Sequence, residues 1–238
     1  MYTPTLEKYL TFINSERQHG PPRRRSERAD RLAVTISRQS GSGAHVIAEK
    51  LAEHLQAQAP PGSDPWLVFD RNLAEKVLED NNLPKHLARY MPEDRISAIT
   101  DTIDELFGLH PPFWTLVEKT ARTILCLAEQ GNVILIGRGA NIITAGMQHV
   151  LHVRLVGSPE KRAAHVQQIQ GIDRKIALEL IVREDRGRQR YFKKYFGKDL
   201  NDPSLYHLVI NTDLISYDQA ARLIGETVLN QNAVRTRV

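Results

Sequence analysis

The stretch 37–45 reads Ser37-Arg38-Gln39-Ser40-Gly41-Ser42-Gly43-Ala44-His45 and separates two patterned segments. Before it, residues 32–36 form a short apolar, β-branched run that is typical of a buried strand. After it, apolar residues recur at helical spacing from Val46 to Leu55. Glycines between a strand and a helix let backbone N–H groups approach an anion, and a phosphate chain is the natural ligand. We therefore predict that Ser40–His45 forms a phosphate-binding loop.

This loop matches the phosphate-loop motif G-x-x-x-x-G-K-[ST] only in part. If Gly43 is the last glycine of the motif, Arg38 stands at the first glycine and Ala44 at the lysine. His45 then stands where a magnesium-binding hydroxyl is expected. The backbone cradle does not need the lysine, but its charge must be supplied by Arg38 or by an arginine from elsewhere. An ordinary Gly/Ser turn is the alternative interpretation of this segment alone.

The length and composition are those of a globular domain. The chain has 238 residues, of which 41% are hydrophobic and 25% charged. A net charge of +4 suits anionic ligands such as nucleotides and does not require nucleic acid. The single cysteine, Cys126, excludes a disulfide scaffold and fits a reducing compartment. Because no apolar run is long enough to span a membrane and no signal-peptide core is seen, we expect a cytoplasmic protein without membrane contact.

Changes in composition divide the chain into two parts. Residues 1–30 combine an amphipathic helix pattern with a basic linker that contains prolines, which predicts an appendage able to act as a homodimer or docking arm. The arginine run in this linker is interpreted as solvated rather than bound to nucleic acid. Residues 31–230 are predicted to form the main domain. Within it, about 81–112 reads as a small helical insertion, and about 174–200 as an arginine-rich segment.

Five short apolar runs alternate with helical patterns in the main domain, at 32–36, 66–69, 133–136, 150–156 and 208–210. This alternation predicts an α/β fold, a five-stranded parallel sheet with helices on both faces. Ligands of such sheets bind beyond the carboxyl ends of the strands. Polar residues collect there, namely the Gly/Ser loop, Asp70-Arg71, Gly137-Arg138-Gly139, Gly157-Ser158 and Asn211-Thr212-Asp213. We therefore predict one polar crevice, in which Asp70 and Asp213 orient substrate or help to hold Mg²⁺.

The arginine-rich segment is the most charged part of the chain. On a helix, Arg183, Arg186 and Arg190 share one side. Cations on one face repel one another unless an anion lies among them, and a phosphoryl-transfer lid uses mobile arginines in this way. A solvated surface helix is one alternative, and nucleic-acid contact is another because aromatic residues interleave with the cations. The lid interpretation leads because a phosphate-type loop lies elsewhere in the chain.

Over about 32–226 the chain resembles the nucleoside monophosphate kinases, and in particular the cytidylate kinase-like proteins. The resemblance rests on Ile36–Gly43, Phe69-Asp70-Arg71, Ile136–Asn141, the arginine-rich segment and Leu208–Thr212. It implies a five-stranded parallel sheet of the P-loop NTPase, nucleoside monophosphate kinase-like type, with an acceptor-binding helical insertion at about 81–112 and a lid at about 174–200. It also implies ATP and Mg²⁺ as cofactors and nucleotides as substrates.

The resemblance assigns roles to single residues. The loop Ser40–His45 would hold the donor phosphates, and Arg186 and Arg190 would clamp the transferring group. Arg38 is our candidate to replace the missing lysine. Acceptor binding falls to Asp70, Arg71 and Arg138, of which Arg138 would grip the acceptor's phosphate. The histidines show no metal-ligand spacing, so we predict no metal site built by the protein alone.

Two departures from the family pattern concern the catalytic rate and the specificity for cytidine, respectively. Ala44 replaces the loop lysine, and Gly139 stands where cytidylate kinases carry an acid. The leading hypothesis is an ATP-dependent phosphotransferase acting on a nucleoside monophosphate or a similar small phosphate acceptor. The alternatives are a catalytically degenerate nucleotide-binding module and, ranked below it, a nucleic-acid-binding protein.

Overall fold

The computed structural model describes residues 32–61, 63–70 and 115–235. The strands are β1 (Ala33–Arg38), β2 (Leu67–Phe69), β3 (Val133–Ile136), β4 (Val150–Val156) and β5 (Leu208–Asn211). The helices are α1 (Ala44–Gln58), α2 (Thr115–Gln130), α3 (Ala140–Ile143), α4 (Pro159–Gln170), α5 (Arg174–Phe196) and α6 (Tyr217–Arg235), with a 3₁₀ turn at Pro203–Leu205. The predicted arm at 1–30 and the predicted insertion at about 81–112 lie outside the described residues.

The five apolar runs form one sheet in the order β2-β3-β1-β4-β5, and every neighbouring pair is parallel. The central strand is β1, whose Ile36 is in register with Ile136 of β3 and Val153 of β4. Its residues Ala33, Val34 and Ile36 are fully buried, as expected for a strand covered on both faces. The predicted fold class is therefore confirmed.

Alternate residues of β1 supply the two cores of the domain. Ala33 packs on one face with α2 residues such as Ile124 and Leu127. Val34 and Ile36 pack on the other face, in a cluster that also holds Ile47 of α1 and Ile224 of α6. The helices thus cover both faces of the sheet, and the carboxyl ends of its strands are left for polar side chains. None of the described helices is long and apolar enough to cross a membrane.

Caps fix the hairpin of α4 and α5, which carries the arginine-rich segment. Ser158 is the N-cap of α4, where its hydroxyl accepts a hydrogen bond from the Lys161 backbone N–H, and Pro159 is the first residue of the helix. The Asp173 carboxylate accepts from the Lys175 backbone N–H at 2.7 Å and caps α5. Both caps satisfy backbone donors that the first turn of a helix leaves open. The start of α5 is therefore defined by local sequence.

A buried histidine sits in the middle of β4. His152 is 6% exposed, and its Nδ1 lies 2.9 Å from the hydroxyl of Thr35. Its backbone N–H donates to Nδ1 of His207 at 2.9 Å. Burial, and then the nearby His207, lowers the pKa of His152 to about 4. His152 is therefore neutral in the folded protein at neutral pH.

We expect this histidine to make the fold sensitive to acid. An unfolded histidine titrates near pH 6.5, so between that pH and about 4 the unfolded chain binds the proton more readily than the folded one. Stability is fully present above the unfolded pKa and falls as the pH drops toward 4, by about 3 kcal/mol at about 1.4 kcal/mol per pKa unit. Urea unfolding measured from pH 7 to pH 4.5 checks this. In His152→Gln the free energy of unfolding should depend less on pH in that window. The same pH dependence in the variant and in wild type would contradict the prediction.

Candidate functional site

Two glycines shape the loop between β1 and α1. Gly41 and Gly43 have φ values of 80° and 78°, in the left-handed region that favours glycine. A Cβ on Gly41 would lie 2.4 Å from the carbonyl oxygen of Arg162, so the backbone can approach α4 this closely only without a side chain. Helix α1 begins at Ala44 without a side-chain cap. Its first N–H groups are therefore open to an anion, as the sequence predicted for this loop.

A carboxylate from α5 already contacts this loop. The backbone N–H of Ser40 donates to Oδ1 of Asp185 at 2.8 Å. The hydroxyl of Ser40 donates to Oε2 of Glu184. Asp185 thus places an anionic oxygen on a loop N–H, which is what a phosphate oxygen would do. The Ser40 N–H is therefore placed to donate to an anionic oxygen, and phosphate binding by the loop stays a prediction.

Two arginines hold the carboxylate pair Glu184 and Asp185 in place. Arg162 is 6% exposed, and its Nη1 donates to the Ser40 carbonyl at 2.8 Å and to Asp185 Oδ2 at 2.7 Å. Nη2 of Arg188 lies 3.1 Å from Asp185 and 3.3 Å from Glu184. Charge-assisted hydrogen bonds of this kind are stronger than neutral ones. They tie the loop, α4 and α5 together, with the two positive charges balancing the two negative ones.

A second feature, the arginine cleft, lies beside the loop. We define it by Arg38, Arg138 and Arg188, which line one cavity of about 350 Å³. The other lining residues are Thr35, Ile36, Ser37, Ile136, Gly137, Gly139, Ala140, Asn141, Glu184, Gly187, Tyr191, Phe192 and Leu200. They come from the carboxyl ends of β1 and β3, from the segment that follows β3, from one face of α5 and, for Leu200, from the segment after α5. The cavity lies at the edge of the sheet where the sequence predicted a polar crevice, but the loop Ser40–His45, Asp70 and Asp213 are not among its lining residues.

Like charges converge in the arginine cleft. The Arg38 guanidinium packs against the backbone of Gly137. A Cβ on residue 137 would lie only 1.9 Å from Nη1 of Arg38. Burial of the Arg38 guanidinium, and then the charges of Arg188 and Arg138, lower its pKa to about 10. Arg38 is still protonated at neutral pH. Three cations and the carboxylate of Glu184 line this cavity, so the cleft is positively charged on balance and suits an anionic ligand.

Helix α5 turns different arginines toward different sides. Arg188 faces the arginine cleft, whereas Arg186 and Arg190 line a separate hollow together with Arg183 and Val182. Residues two apart on a helix differ by about 200° in direction, which is why Arg186 and Arg188 diverge. The structure thus does not bring the predicted clamp residues Arg186 and Arg190 to the cleft, and their catalytic role stays a prediction.

Sequence reasoning missed Arg188, Arg162 and the carboxylate pair. The sequence does contain a signal for Arg188. It lies four residues before Phe192, a buried residue of α5, and residues at this spacing share one face of a helix. We find no comparable signal for Arg162 or Asp185, since their contacts join residues far apart in the chain.

The predicted acceptor residues are placed in part. Arg138 lines the arginine cleft. Asp70 follows β2 directly, and its Oδ2 lies 3.0 Å from Nε2 of His45. This hydrogen bond raises the pKa of His45. Asp213 accepts a hydrogen bond from the Ser158 backbone N–H at 2.8 Å and so braces the turn before α4. Arg71 lies outside the described residues.

In the described ranges, no three His, Cys, Asp or Glu side chains come together as a metal site. His45 stands where the phosphate-loop motif has its magnesium-binding Ser or Thr, and it pairs with Asp70. The loop hydroxyls of Ser40 and Ser42 donate to Glu184 and to the Gln39 carbonyl. These residues therefore do not match the usual loop ligand of Mg²⁺.

Comparison with known proteins gives several matches to cytidylate kinases. The sequence model of the cytidylate kinase-like family matches residues 33–214. The chain is 37% identical over 175 residues to a cytidylate kinase of Sulfurisphaera tokodaii, covering 72% of this chain and 92% of that protein. It is 26% identical over 205 residues to a cytidylate kinase of Methanopyrus kandleri, covering 83% and 93%. Its fold is similar to that of an uncharacterized protein from Eubacterium ventriosum, with a TM-score of 0.62 at 20% identity over 84% of this chain and 99% of that one.

Proposed function

Since the chain belongs to the cytidylate kinase-like family, we propose that it transfers a phosphoryl group from ATP to a nucleoside monophosphate. Family membership and the relatives named cytidylate kinase make it a nucleotide kinase-like enzyme. The donor, the acceptor and the roles of single residues are the finer part of the proposal.

One observation supports the proposal: the loop, whose Ser40 N–H donates to a carboxylate oxygen, and the arginine cleft lie side by side and share a residue. Glu184 lines the arginine cleft and also accepts the hydrogen bond from the Ser40 hydroxyl of the loop. A phosphotransferase has to hold two phosphates in contact, one on the donor and one on the acceptor. We assign the donor phosphates to the loop and the acceptor phosphate to the arginine cleft.

The reaction needs no covalent intermediate. An oxygen of the acceptor phosphate forms a new bond to the γ-phosphorus of ATP, the bond between that phosphorus and the β,γ-bridging oxygen breaks, and ADP leaves. Arg38 and Arg188 would face the transferring group from the cleft side and stabilise its charge. Catalysis of this kind consists of positioning and electrostatic stabilisation, because the protein forms no bond itself.

Donor binding has to change the contacts of α5. A phosphate oxygen on the Ser40 N–H takes the position of Asp185 Oδ1. Asp185 then leaves the loop, and the guanidinium groups of Arg162 and Arg188 become available to phosphate oxygens. This exchange would make α5 the lid of the site, in line with the lid predicted at about 174–200. Mg²⁺ enters only as the companion of ATP, and no described residue is assigned to it.

Ala44 favours a second candidate function. Without the loop lysine, the chain would bind a nucleotide and not transfer its phosphoryl group, as a degenerate module. The two candidates differ in one measurable property, the release of ADP.

A coupled ADP-release assay over CMP, UMP, AMP and GMP tests the proposal. ADP should form with at least one acceptor, and Arg38→Ala protein purified in the same way should show that the activity is not a contaminant. ATP binding by calorimetry together with no ADP release for any acceptor would reject the transferase and favour the binding module.

A further inference from the structure

Arg154 of β4 is a buried cation to which the proposed reaction assigns no role. The residue is 3% exposed. Its Nη1 donates to the Ser37 hydroxyl at 3.1 Å, and its Nη2 donates to Oδ1 of Asn201 at 2.7 Å. Its Cζ lies 5.6 Å from the centre of the Tyr206 ring. These partners are all neutral, and no carboxylate in the part of the chain that the structure describes forms an ion pair with Arg154.

Burying such a charge does not help the fold to be stable. A guanidinium that leaves water loses its hydration, and neutral partners restore only part of that loss. Replacing a buried ionic group by an apolar side chain of similar volume often leaves a protein as stable as before, or more stable. What a guanidinium offers beyond an apolar side chain is a rigid fork of directed hydrogen bonds. Its role is therefore to be sought in what these bonds hold in place.

The bonds of Arg154 hold a stretch of chain that follows α5. We call residues 200–207 the anchor segment. Asn201 accepts from the guanidinium near the start of this segment. At its end, the His207 backbone N–H donates to the His152 carbonyl at 2.8 Å. Residues 152 and 154 lie two apart on β4, so their side chains share one face of the strand. The anchor segment is thus bound along the polar face of β4.

A chain of hydroxyl groups links Arg154 to the start of the anchor segment. The Tyr206 hydroxyl donates to the Leu200 carbonyl at 2.9 Å and lies 3.3 Å from the Ser37 hydroxyl. Because a carbonyl only accepts and a phenol has one proton, Ser37 is the donor to Tyr206 and accepts from Arg154. Ser37 and Leu200 both line the arginine cleft. The guanidinium therefore fixes two parts of the cleft wall relative to each other.

Under the proposed function, two contacts hold α5 and the anchor segment to the sheet. The first joins Asp185 to the Ser40 N–H, and the donor phosphate takes its place. The second is the set of bonds to Arg154, which is buried and is not among the lining residues of the cleft. A phosphate in the cleft does not displace this second contact. It therefore decides where α5 and its Arg188 lie when Asp185 has left the loop.

We propose that Arg154 is a positioning residue for phosphoryl transfer, which acts on the arginine cleft through Ser37 and the anchor segment. The inference rests on the proposed function, to which it adds a residue. Arg154 does not touch the substrates. Its directed bonds hold the end of α5 in one place at the carboxyl ends of β1 and β4, so that the cations of the cleft meet the transferring group in a fixed geometry.

Arg154→Met tests this role, because methionine has a similar length but neither charge nor donors. With the best acceptor, kcat should fall by about 10²-fold, the scale of a small misplacement of reacting groups. The Kd of ATP from calorimetry should stay within about twofold, because the loop is unchanged. The melting temperature without ligand should stay within about 4 °C of wild type. Arg154→Lys should recover part of the rate, because it keeps the charge and loses the fork.

Tyr206→Phe is a milder variant that tests the same chain of hydroxyl groups if Arg154→Met does not fold. It removes one hydroxyl and keeps the ring beside the guanidinium. Its kcat should be about threefold to tenfold lower, the value of one hydrogen bond. Ser204→Ala is the matched control, since Ser204 lies in the anchor segment and its hydroxyl donates to Asp202. This control should keep the wild-type kcat.

Amide hydrogen exchange tests the anchor segment without relying on activity. The backbone N–H groups of residues 205–207 are hydrogen-bonded in the folded protein. In Arg154→Met they should exchange at least about tenfold faster than in wild type, while those of α6 stay unchanged. If wild-type protein releases no ADP with any acceptor, the transferase is rejected, and faster exchange would still show that Arg154 holds the anchor segment.

Other results would overturn the positioning role. A kcat of Arg154→Met that equals wild type once corrected for the folded fraction would leave Arg154 a purely structural residue. An equal loss in ATP affinity and kcat would assign the residue to donor binding. Wild-type exchange rates in the anchor segment would show that other contacts hold it. If Arg154→Met is unfolded, a wild-type kcat in Tyr206→Phe would reject the proposal.

Discussion

Replacing Arg38 with alanine is expected to lower kcat by roughly 10³-fold, the scale of an arginine that stabilises phosphoryl transfer. Arg38 is the last residue of β1, and its guanidinium lies against Gly137 inside the arginine cleft. It precedes the loop that lacks a lysine and lines the cleft together with Arg138, so under the proposed function its charge should matter most while the transferring group passes from donor to acceptor. KM for ATP should change much less than kcat. Steady-state kinetics with the best acceptor measures both.

Two further variants make this prediction specific. Arg38→Lys keeps the charge but loses the planar fork, so it should recover only part of the rate. Arg38→Met, which has no charge and similar length, should match the alanine variant. The folded state should tolerate these changes, because the like charges of Arg188 and Arg138 already oppose the charge on Arg38. Full activity of Arg38→Ala would assign the missing charge to the lid.

Arg188→Ala is expected to cost roughly 10²-fold to 10³-fold in kcat, and Arg186→Ala less than about threefold. The two residues lie on the same helix, but Arg188 lines the arginine cleft and Arg186 lines the other hollow. Arg186→Ala is therefore a matched control for a loss of positive charge on α5. Single-turnover rates at saturating ATP measure the effect on the chemical step.

Arg188 also binds the carboxylate pair, so its loss could loosen α5 as well as remove a charge. Arg188→Lys should restore the positive charge but not the simultaneous contacts with Glu184 and Asp185. The melting temperatures of Arg188→Lys and Arg188→Ala should therefore be compared. If Arg186→Ala and Arg190→Ala are slow while Arg188→Ala turns over normally, the lid roles first predicted for Arg186 and Arg190 are correct. A loss of RNA binding in these two variants, without any transfer activity, would instead support the nucleic-acid interpretation.

The sequence was sufficient to predict the sheet. Each strand contains a short apolar run, which the buried His152 and Arg154 interrupt in β4, and the polar residues that follow each run mark its carboxyl end. These are local properties, because burial on both faces demands a continuous apolar run and a tight turn demands glycine. The same reasoning located the loop Ser40–His45 and brought Arg38 and Arg138 to one edge of the sheet.

Which side chains meet in the site was decided by the tertiary structure. The direction of Arg188 depends on how α5 rotates about its axis, and that rotation is set by the packing of buried residues such as Ile181 and Phe192. The contact of Asp185 with Ser40 joins residues 145 positions apart, and the buried Arg162 completes it from α4. In the sequence, Asn141 does not differ from any other polar residue after a glycine turn. Its place in the lining of the arginine cleft follows from the packing of the chain. Periodicity shows that a helix has a buried face, but only packing against the rest of the chain decides which polar groups that face brings together.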